Sequence, residues 1–378
     1  MREISEIRKE IDSLDEQMIS LFVKRMEAAA EATLYKMKAR RPIYVPEREQ
    51  QVLAQVIKNV PKGMKTGAKS LFTNLMRITR QEEYKRAVKE DTAWKLGAAI
   101  NEAYGRPENV QSVIFAGSAS SYGAKAAKKL FPKAKMMEAR GFEHACQSAA
   151  EGKADAAVLP FDNTTAGSVN EIDTMLLKYK LSIFSSTVVP IENSLMGIKG
   201  TDIGQIREVR SHPQALMQCD EFIKKMGWSA VPMDNTAFAA EYVAKAGDPA
   251  IAAIGSNEAA EMYGLRILKE TINDTFFNRT RFVAAKREMT ISANAQRVSI
   301  AFKLPHTSGT LAQALSVFAD AGLNLMRIQS LPIPEAPWEY CFYLDFRAPA
   351  LDEAAMCVLY QMDKEAPFLH LLGWYEEE

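Results

Sequence analysis

The N-terminal segment carries an apolar repeat that only a helix packed against other helices can bury. Its members alternate three and four residues apart: Ile4, Ile7, Ile11, Leu14, Met18 and Leu21. This is heptad spacing, which puts one apolar stripe on a helix and requires a second helix to cover it. Continued along the chain, the stripe reaches Arg25. A cation on a packing stripe is costly unless an anion, either a side chain or a ligand, pairs with it.

A second cation, Lys36, lies on the helix face of Arg25. It follows Arg25 by eleven residues, about three turns or ~16 Å of helix, so the two side chains can hold one small dianion. Arg8 precedes Arg25 by seventeen residues, roughly 25 Å of helix, and therefore reaches that position only from a second chain. An intertwined helical dimer would bring it there.

The first 90 residues also predict two shorter helices, one from near Glu47 and one over 68–89. This segment has 19 lysines and arginines against 13 acidic residues, a net charge of +6, whereas residues 91–378 have 28 against 34, a net charge of −6. A basic segment can bind nucleic acid or small polyanions. Its aromatic residues are sparse and not interleaved with the basic ones, so we expect no nucleic-acid partner.

Composition limits the class of protein. A chain of 378 residues with 47% hydrophobic and 25% charged residues is typical of a folded protein of two or three domains. No apolar run reaches the ~18 residues of a membrane helix and no signal-peptide pattern opens the sequence, so we expect a cytoplasmic protein without a membrane partner. The four cysteines and four histidines are scattered, without zinc-ligand spacing, so we expect neither a disulfide nor a metal.

Beyond residue 110 short apolar strands alternate with helices, which indicates an α/β fold. Strands are predicted at 113–116, 154–160, 181–184, 250–255 and 282–285. The turn GSASSYGAK has the wrong spacing for a nucleotide phosphate loop, although its helix N-terminus offers donors to a carboxylate. The loop LPFDNTTAGSVNEI places polar residues directly after a strand, where open α/β sheets bind ligands, or where they simply cap a helix. SHPQAL and NRTRF add further polar groups.

From Arg297 the order is strand, helix, two strands, helix and strand, which predicts a β-α-β-β-α-β sandwich. The helices are predicted over 308–321 and 351–365. A glycine-containing turn opens the first of these helices with backbone donors available to a carboxylate. Its residues are Ser308, Gly309, Thr310 and Leu311.

The N-terminal motifs IRKEIDSLDE, VKRMEAAAEATLYK and RRPIYVPERE resemble the all-helical chorismate mutase family. The resemblance implies rearrangement of chorismate to prephenate by a site that clamps two carboxylates and stabilises charge on an ether oxygen. It assigns catalytic roles to Arg25, Lys36 and Glu83, and substrate binding to Arg8 from a partner chain, Glu49 and Thr79.

Two departures from that family bear on activity. Val45 stands where the family often has an acid, and it cannot bond to the substrate hydroxyl. Glu83 stands where Gln is common, and a carboxyl donates to the ether oxygen only when protonated, so the mutase rate should fall as pH rises. Alternatively, Glu83 is a solvated helix residue.

Over 111–286, the central motifs resemble the prephenate dehydratase family, which has two periplasmic-binding-like α/β lobes around a cleft. That family converts prephenate to phenylpyruvate with loss of water and carbon dioxide, and without a cofactor. The resemblance makes Thr280 the catalytic hydroxyl and implies substrate binding by Asn163, Thr165, Ser168 and Arg281. A structural salt bridge is the alternative for Arg281. Asp162, Gly123 and Asn193 depart from the family motifs, which leaves the choice between prephenate and arogenate open.

The C-terminal order resembles an ACT regulatory domain with a ferredoxin-like α+β fold. This implies phenylalanine as a feedback effector, bound between chains by 308–311, Gln329 and Ser330. Gln329-Ser330-Leu331-Pro332 replaces the family motif E-S-R-P, so affinity for phenylalanine should be altered or lost. A dimerisation domain without a ligand is the alternative.

Together these segments resemble the bifunctional chorismate mutase/prephenate dehydratases. We expect a multidomain chain with a mutase module at 1–90, a linker at 91–110, a dehydratase at 111–288 and a regulatory domain at 296–378, assembled as a homodimer or larger homo-oligomer. One alternative is a dehydratase whose mutase is silenced by Val45. Another is a non-catalytic sensor of aromatic metabolites, which should keep its function when Thr280 is replaced by alanine.

Overall fold

The structure, a computed structural model, describes residues 2–165, 167–275, 277–333 and 336–378. The chain forms two compact units. The first comprises Met1–Asn101, Phe302–Asn324 and Leu351–Leu369, and the second comprises Glu102–Ala301, Leu325–Ala350 and His370–Glu378. The segment predicted as one C-terminal module therefore contributes its helices to the first unit and most of its strands to the second.

The chain begins with α1 (Ile4–Lys38), α2 (Pro46–Asn59), α3 (Lys65–Glu90) and α4 (Lys95–Ala103). Pro46 occupies the first turn of α2 with Glu47 and Glu49, which suits a helix N-terminus. The predicted apolar stripe does lie on a helix, but Ile4, Ile11, Leu14, Met18 and Leu21 are each at least half exposed.

The central segment alternates strands and helices as predicted. In chain order these are β1 (Ser112–Ala116), α5 (Tyr122–Leu130), β2 (Lys135–Ala139), α6 (Phe142–Ala150), β3 (Ala156–Asn163), β4 (Gly167–Ser168), α7 (Asn170–Lys178), β5 (Ser182–Pro190), β6 (Ser194–Gly197), β7 (Glu208–Ser211), α8 (Pro213–Met217), α9 (Asp220–Met226), β8 (Ser229–Pro232), α10 (Thr236–Ala246), β9 (Ile251–Gly255), α11 (Asn257–Met262), β10 (Arg266–Lys269) and β11 (Arg279–Lys286).

The C-terminal segment follows the predicted β-α-β-β-α-β order. Its elements are β12 (Arg297–Lys303), α12 (Thr310–Asp320), β13 (Asn324–Ile333), β14 (Ala336–Arg347), α13 (Glu353–Glu365) and β15 (Phe368–Glu377).

Two sheets organise the second unit into lobes. The larger sheet has the order β13-β14-β12-β15-β5-β11-β3-β1-β2, and the smaller one has the order β10-β6-β9-β7-β8. Val113, Phe115 and Phe184 belong to the core of the first lobe, and Val209 and Ile254 to that of the second. Burial on both faces explains why β1 and β9 are apolar along nearly their whole length.

The C-terminal strands extend the larger sheet because β15 pairs in parallel with β5. Gly373 makes this pairing possible. A Cβ atom at Gly373 would lie 2.8 Å from Cβ of Ile183 and would also collide with the Ile183 carbonyl oxygen. Among the helices of the described residues, none is long and apolar enough to cross a bilayer.

Candidate functional site

In the first unit, α1 and α3 bring two cations against two polar side chains. Arg25 Nη1 donates to Thr79 Oγ1. Lys36 Nζ lies 3.0 Å from Glu83 Oε1 and 3.2 Å from Oε2. Glu83 is only 5% exposed, so it is not a solvated helix residue. Both carboxyl oxygens of Glu83 therefore accept from the Lys36 ammonium group.

Glu49 on α2 belongs to the same cluster. Burial lowers the pKa of Arg25, and the charges of Glu83 and Glu49 act against that shift, which shows that both carboxylates lie within its electrostatic reach. Arg80 Nη1 donates to Glu49 Oε1. A cavity of about 400 Å³ beside the cluster is lined by Thr79 and Glu83 together with apolar residues of α1.

Two residues singled out in the sequence stay outside this cluster. Arg8 is exposed near the start of α1, and one straight helix cannot bring it to Arg25. Val45 precedes the first residue of α2 and is 37% exposed. Its side chain is apolar and adds no polar group to the cluster.

In the second unit, residues from both lobes line a cleft of about 220 Å³. The ends of β3 and β11 supply Asn163 and Thr280. Ser121 and Asn235, which also line it, cap the N-termini of α5 and α10. Helix N-termini present unpaired N–H groups and partial positive charge, so both attract anions. None of the described lining residues is Lys, Arg, Asp or Glu.

The hydroxyl of Thr280 is oriented by its neighbour across the sheet. Thr280 pairs with Asn163 in the β3–β11 register, and Asn163 Nδ2 lies 2.8 Å from Thr280 Oγ1. Asn163 Oδ1 accepts from the Thr165 backbone N–H at 2.9 Å. A backbone N–H can only donate, so this contact fixes the amide with Nδ2 toward Thr280. Thr280 Oγ1 therefore accepts from Asn163 and keeps its own proton for another acceptor.

Buried polar atoms without a partner mark the same region. Asn193 Oδ1 and Asn278 Nδ2 have no hydrogen-bond partner within the described part of the chain, and these residues are 1% and 4% exposed. Unpaired buried groups are costly, so they favour a bound polar ligand or water. His212 also lines the cleft, where burial lowers its pKa.

Sequence patterns missed Gln218 and Asn235, which also line the cleft. The Asn-Thr pair at 235–236, directly before a helical pattern, is a capping signal that could have identified Asn235. Gln218 has no comparable local signal. It follows a short helix, and its Oε1 accepts from Nδ2 of Asn193, a residue distant in sequence, at 3.1 Å.

Arg281, which the resemblance predicts to hold a substrate carboxylate, is not among the described residues that line the cleft. Arg281 is 4% exposed. Its Nη2 lies 2.6 Å from both Asp162 Oδ2 and Asp345 Oδ2, and its Nη1 donates to Tyr375 Oη at 2.8 Å. Successive strand residues face opposite sides of a sheet, so Arg281 and Thr280 cannot both face the cleft. The structural salt bridge is the observed arrangement.

Ser168 is also absent from the described lining of the cleft. It lies on β4, and its Oγ accepts from Arg327 Nε at 2.9 Å. Thr165 is near the cleft without lining it, and its Oγ1 is 3.4 Å from Asn278 Oδ1. Ala166, in the same loop, lies outside the described residues.

The predicted effector residues occupy a helix start and a strand. Gly309 adopts φ +89° as the N-cap of α12, a conformation that favours glycine. Thr310 Oγ1 donates to the Pro305 and Thr307 carbonyls at 2.9 Å. Ser308 is exposed and Leu311 is half-buried in the first unit, whereas Gln329 and Ser330 lie on β13.

Comparison with known proteins gives two family matches. Residues 7–84 match chorismate mutase type II, and residues 113–290 match prephenate dehydratase. Arogenate dehydratase/prephenate dehydratase 2 of Arabidopsis thaliana is 34% identical over 274 residues, covering 70% of this chain and 72% of the relative. The bifunctional chorismate mutase/prephenate dehydratase of Escherichia coli K12 is 29% identical and covers 98% of this chain and 96% of the relative.

A solved structure is also similar to this chain. Prephenate dehydratase from Arthrobacter aurescens in complex with L-Phe aligns with a TM-score of 0.65 at 26% identity, covering 70% of this chain and 90% of that chain.

Proposed function

The chain belongs to the prephenate dehydratase family, in the bifunctional form that carries a chorismate mutase domain, and from this premise we propose that it converts chorismate to prephenate and prephenate to phenylpyruvate. One observation carries the proposal: the two units hold separate polar sites, a cation cluster at Arg25 and Lys36 and an oriented hydroxyl at Thr280. The product of the first site is the substrate of the second. The module bounds 1–90, 111–288 and 296–378 remain predictions.

At the mutase site, catalysis depends on preorganised charge. The rearrangement breaks a C–O bond and forms a C–C bond within one molecule, so the protein supplies no proton or nucleophile. Arg25 and Lys36 hold the substrate carboxylate and stabilise charge on the ether oxygen, and Glu49 accepts from the substrate hydroxyl. Lys36 is paired with Glu83 at 3.0 Å, and substrate binding exchanges that contact for a substrate oxygen.

The mutase site also requires a second copy of the chain. Arg8 is needed at the substrate but lies about 25 Å from Arg25 on the same helix. The exposed apolar stripe of α1 is the surface that another α1 would cover, since large exposed apolar patches mark association sites. We therefore infer a homodimer or a larger homo-oligomer in which Arg8 serves the partner's site.

At the dehydratase site, the ring carboxylate leaves as carbon dioxide while the electrons of its C–C bond aromatise the ring. The C4–O bond breaks, its electron pair leaves with the oxygen, and the departing hydroxide takes a proton from solvent to become water. Thr280 donates a hydrogen bond to the departing oxygen, because its own oxygen already accepts from Asn163. An alcohol is a weak acid, so Thr280 acts as a positioned donor.

Neutral donors hold the two carboxylates of prephenate in this cleft. The lining offers amides, hydroxyls and the N-termini of α5 and α10, one from each lobe. Binding of a dianion by helix N-termini is electrostatically favourable. Asn193 Oδ1 and Asn278 Nδ2 supply an acceptor and a donor that the described residues leave unpaired.

Phenylalanine is the proposed effector of the C-terminal segment, read as an ACT domain. The β-α-β-β-α-β order supports that reading. The L-Phe complex of the Arthrobacter aurescens relative supports phenylalanine as a ligand. Residues 308–311, Gln329 and Ser330 are the proposed contacts. Gln329 and Leu331 replace two charged residues of the family motif, so we expect weaker binding of phenylalanine than a glutamate and an arginine would give.

Two complementary variants test the bifunctional assignment. Thr280→Ala should convert chorismate to prephenate and let prephenate accumulate. Lys36→Met should convert supplied prephenate to phenylpyruvate but leave chorismate unchanged. Equal turnover of prephenate by Thr280→Ala and the unaltered chain would contradict the assignment of Thr280 to the dehydratase site. No turnover of prephenate by the unaltered chain would favour the sensor.

A further inference from the structure

Arg80 joins the mutase cluster to a helix from the far end of the sequence. It follows Thr79 on α3 and is 8% exposed. Its Nη1 donates to Glu49 Oε1, and its Nε donates to Glu365 Oε1 at 3.0 Å. Glu365 is the last residue of α13, yet both helices belong to the first unit.

The surroundings hold this guanidinium in one place. The Tyr44 ring centroid lies 4.6 Å from Arg80 Cζ, within cation–π range. Gln361, one turn earlier on α13, donates from Nε2 to Glu365 Oε1 at 3.1 Å. Glu49 and Glu365 have side chains 24% and 18% exposed. A planar guanidinium shared by two half-buried carboxylates has little freedom to turn.

The position of Arg80 matters because of what Glu49 does. In the proposed mutase site, Glu49 accepts a hydrogen bond from the substrate hydroxyl. A carboxylate has two oxygens, so Arg80 can hold Oε1 while Oε2 accepts from the substrate. Without Arg80, Glu49 could adopt other rotamers. Its carboxylate would then be attracted to other nearby cations and would move away from the position that binds the substrate.

We propose that Arg80 and Glu365 are positioning residues of the mutase site. Glu365 fixes the guanidinium of Arg80, and Arg80 fixes the carboxylate of Glu49. The C-terminal helix α13 is therefore part of the framework that sets chorismate binding. This inference rests on the proposed mutase activity and extends it to a segment outside the chorismate mutase match at 7–84.

A purely structural role for Arg80 and a positioning role should have different effects on kcat and KM. A positioning role acts through Glu49, so its loss weakens a contact made to the substrate both before and in the transition state. Such a loss raises KM and leaves kcat nearly unchanged. A structural role lowers stability and affects kcat and KM without regard to Glu49.

A double-mutant cycle on the full chain separates the two. We expect Arg80→Met to raise KM for chorismate about tenfold, the scale of one charge-assisted hydrogen bond. In a Glu49→Gln background the same change should have no further effect, because the group it positions is gone. Glu365→Gln should raise KM by a smaller factor. Arg80→Lys, which keeps the charge, should raise KM by less than Arg80→Met does.

The controls use the same chain. Glu353→Gln alters the opposite end of α13, where Glu353 and Lys89 form an exposed pair, and should leave KM unchanged. Thermal unfolding of each variant reports whether the first unit is folded. Additive effects of Arg80→Met and Glu49→Gln, or an unchanged KM in Glu365→Gln, would overturn the inference alone. Absence of chorismate turnover by the unaltered chain would overturn the mutase assignment and this inference together.

Discussion

Thr280 and Arg281 are neighbours on β11 that face opposite sides of its sheet. Thr280 lines the cleft and accepts from Asn163, whereas Arg281 pairs with Asp162 and Asp345 in the protein interior. One strand thus presents a hydroxyl to the cleft on one face and an ion-paired arginine on the other. The two residues should respond to substitution in opposite ways.

Asn163→Asp should abolish most dehydratase activity without a change in side-chain size. In the unaltered chain Thr280 Oγ1 accepts from Asn163 and its proton is available to the substrate. In the variant that proton would be donated to the aspartate, so the departing hydroxide would lose its donor. Removal of one positioned donor costs on the order of 10²–10³ in kcat. Steady-state turnover of prephenate measures the loss. In a Thr280→Ala background Asn163→Asp should lower kcat little further. Thermal unfolding of the variant serves as the control for folding of the second unit.

Arg281→Met should destabilise the second unit by about 3–5 kcal/mol, because buried Asp345 would lose its shortest ion pair and keep only the longer ones to Arg297 and Arg327. Arg281→Lys should lower the free energy of unfolding by less. Denaturant unfolding measures the stability of each variant. KM for prephenate in Arg281→Lys should stay near that of the unaltered chain. A large rise in KM with unchanged stability would restore Arg281 as a carboxylate ligand.

The strand and helix pattern of this unit could be predicted from local sequence, but the direction of Arg281 could not. Burial on both faces leaves β3 and β11 without alternation of buried and exposed residues, so periodicity does not show which side faces the cleft. The register also shifts after Arg281, which pairs with Asp162 while Phe282 pairs with Pro160. Phe161 is the additional residue, as in a β-bulge.

Contacts between segments distant in the chain could not be predicted from local sequence either. The pairing of β15 with β5 and the link from Glu365 to Arg80 join residues far apart in the chain, and neither has a local signal. By contrast, the cations of the mutase cluster were accessible from sequence, because helical spacing places Arg25 and Lys36 on one face.

Gly373→Ala should disrupt the junction of β15 with β5. The added Cβ would lie 2.8 Å from Ile183 Cβ, and overpacking of this kind costs about 1–3 kcal/mol. Gly67→Ala is the matched control on α3, where no atom lies within 4 Å of the new Cβ. It should stabilise the first unit by up to about 1 kcal/mol, since alanine favours helix. Thermal unfolding of both variants should show shifts of opposite sign.

His212 should make the second unit less stable at mildly acidic pH. Burial lowers its pKa below the ordinary value of 6.5, so the folded chain binds this proton less readily than the unfolded chain. Stability is then fully present above pH 6.5 and is lost as pH falls toward the lower folded pKa. Protonation also removes the Nδ1 acceptor of the Gln214 N–H, 3.2 Å away.

His212→Asn keeps a capping acceptor and removes the titration. Thermal midpoints measured between about pH 5 and pH 8 should fall more steeply on acidification in the unaltered chain than in the variant. Parallel curves would show that His212 does not contribute to the pH dependence.

The most direct test of the two-site assignment is phenylpyruvate formation by the purified chain, supplied in separate reactions with chorismate and with prephenate. We predict product from both substrates, because Arg25 and Lys36 serve the first reaction and Thr280 serves the second. Product from prephenate alone would contradict the bifunctional assignment and leave a dehydratase with a silent mutase. Product from neither would contradict both sites.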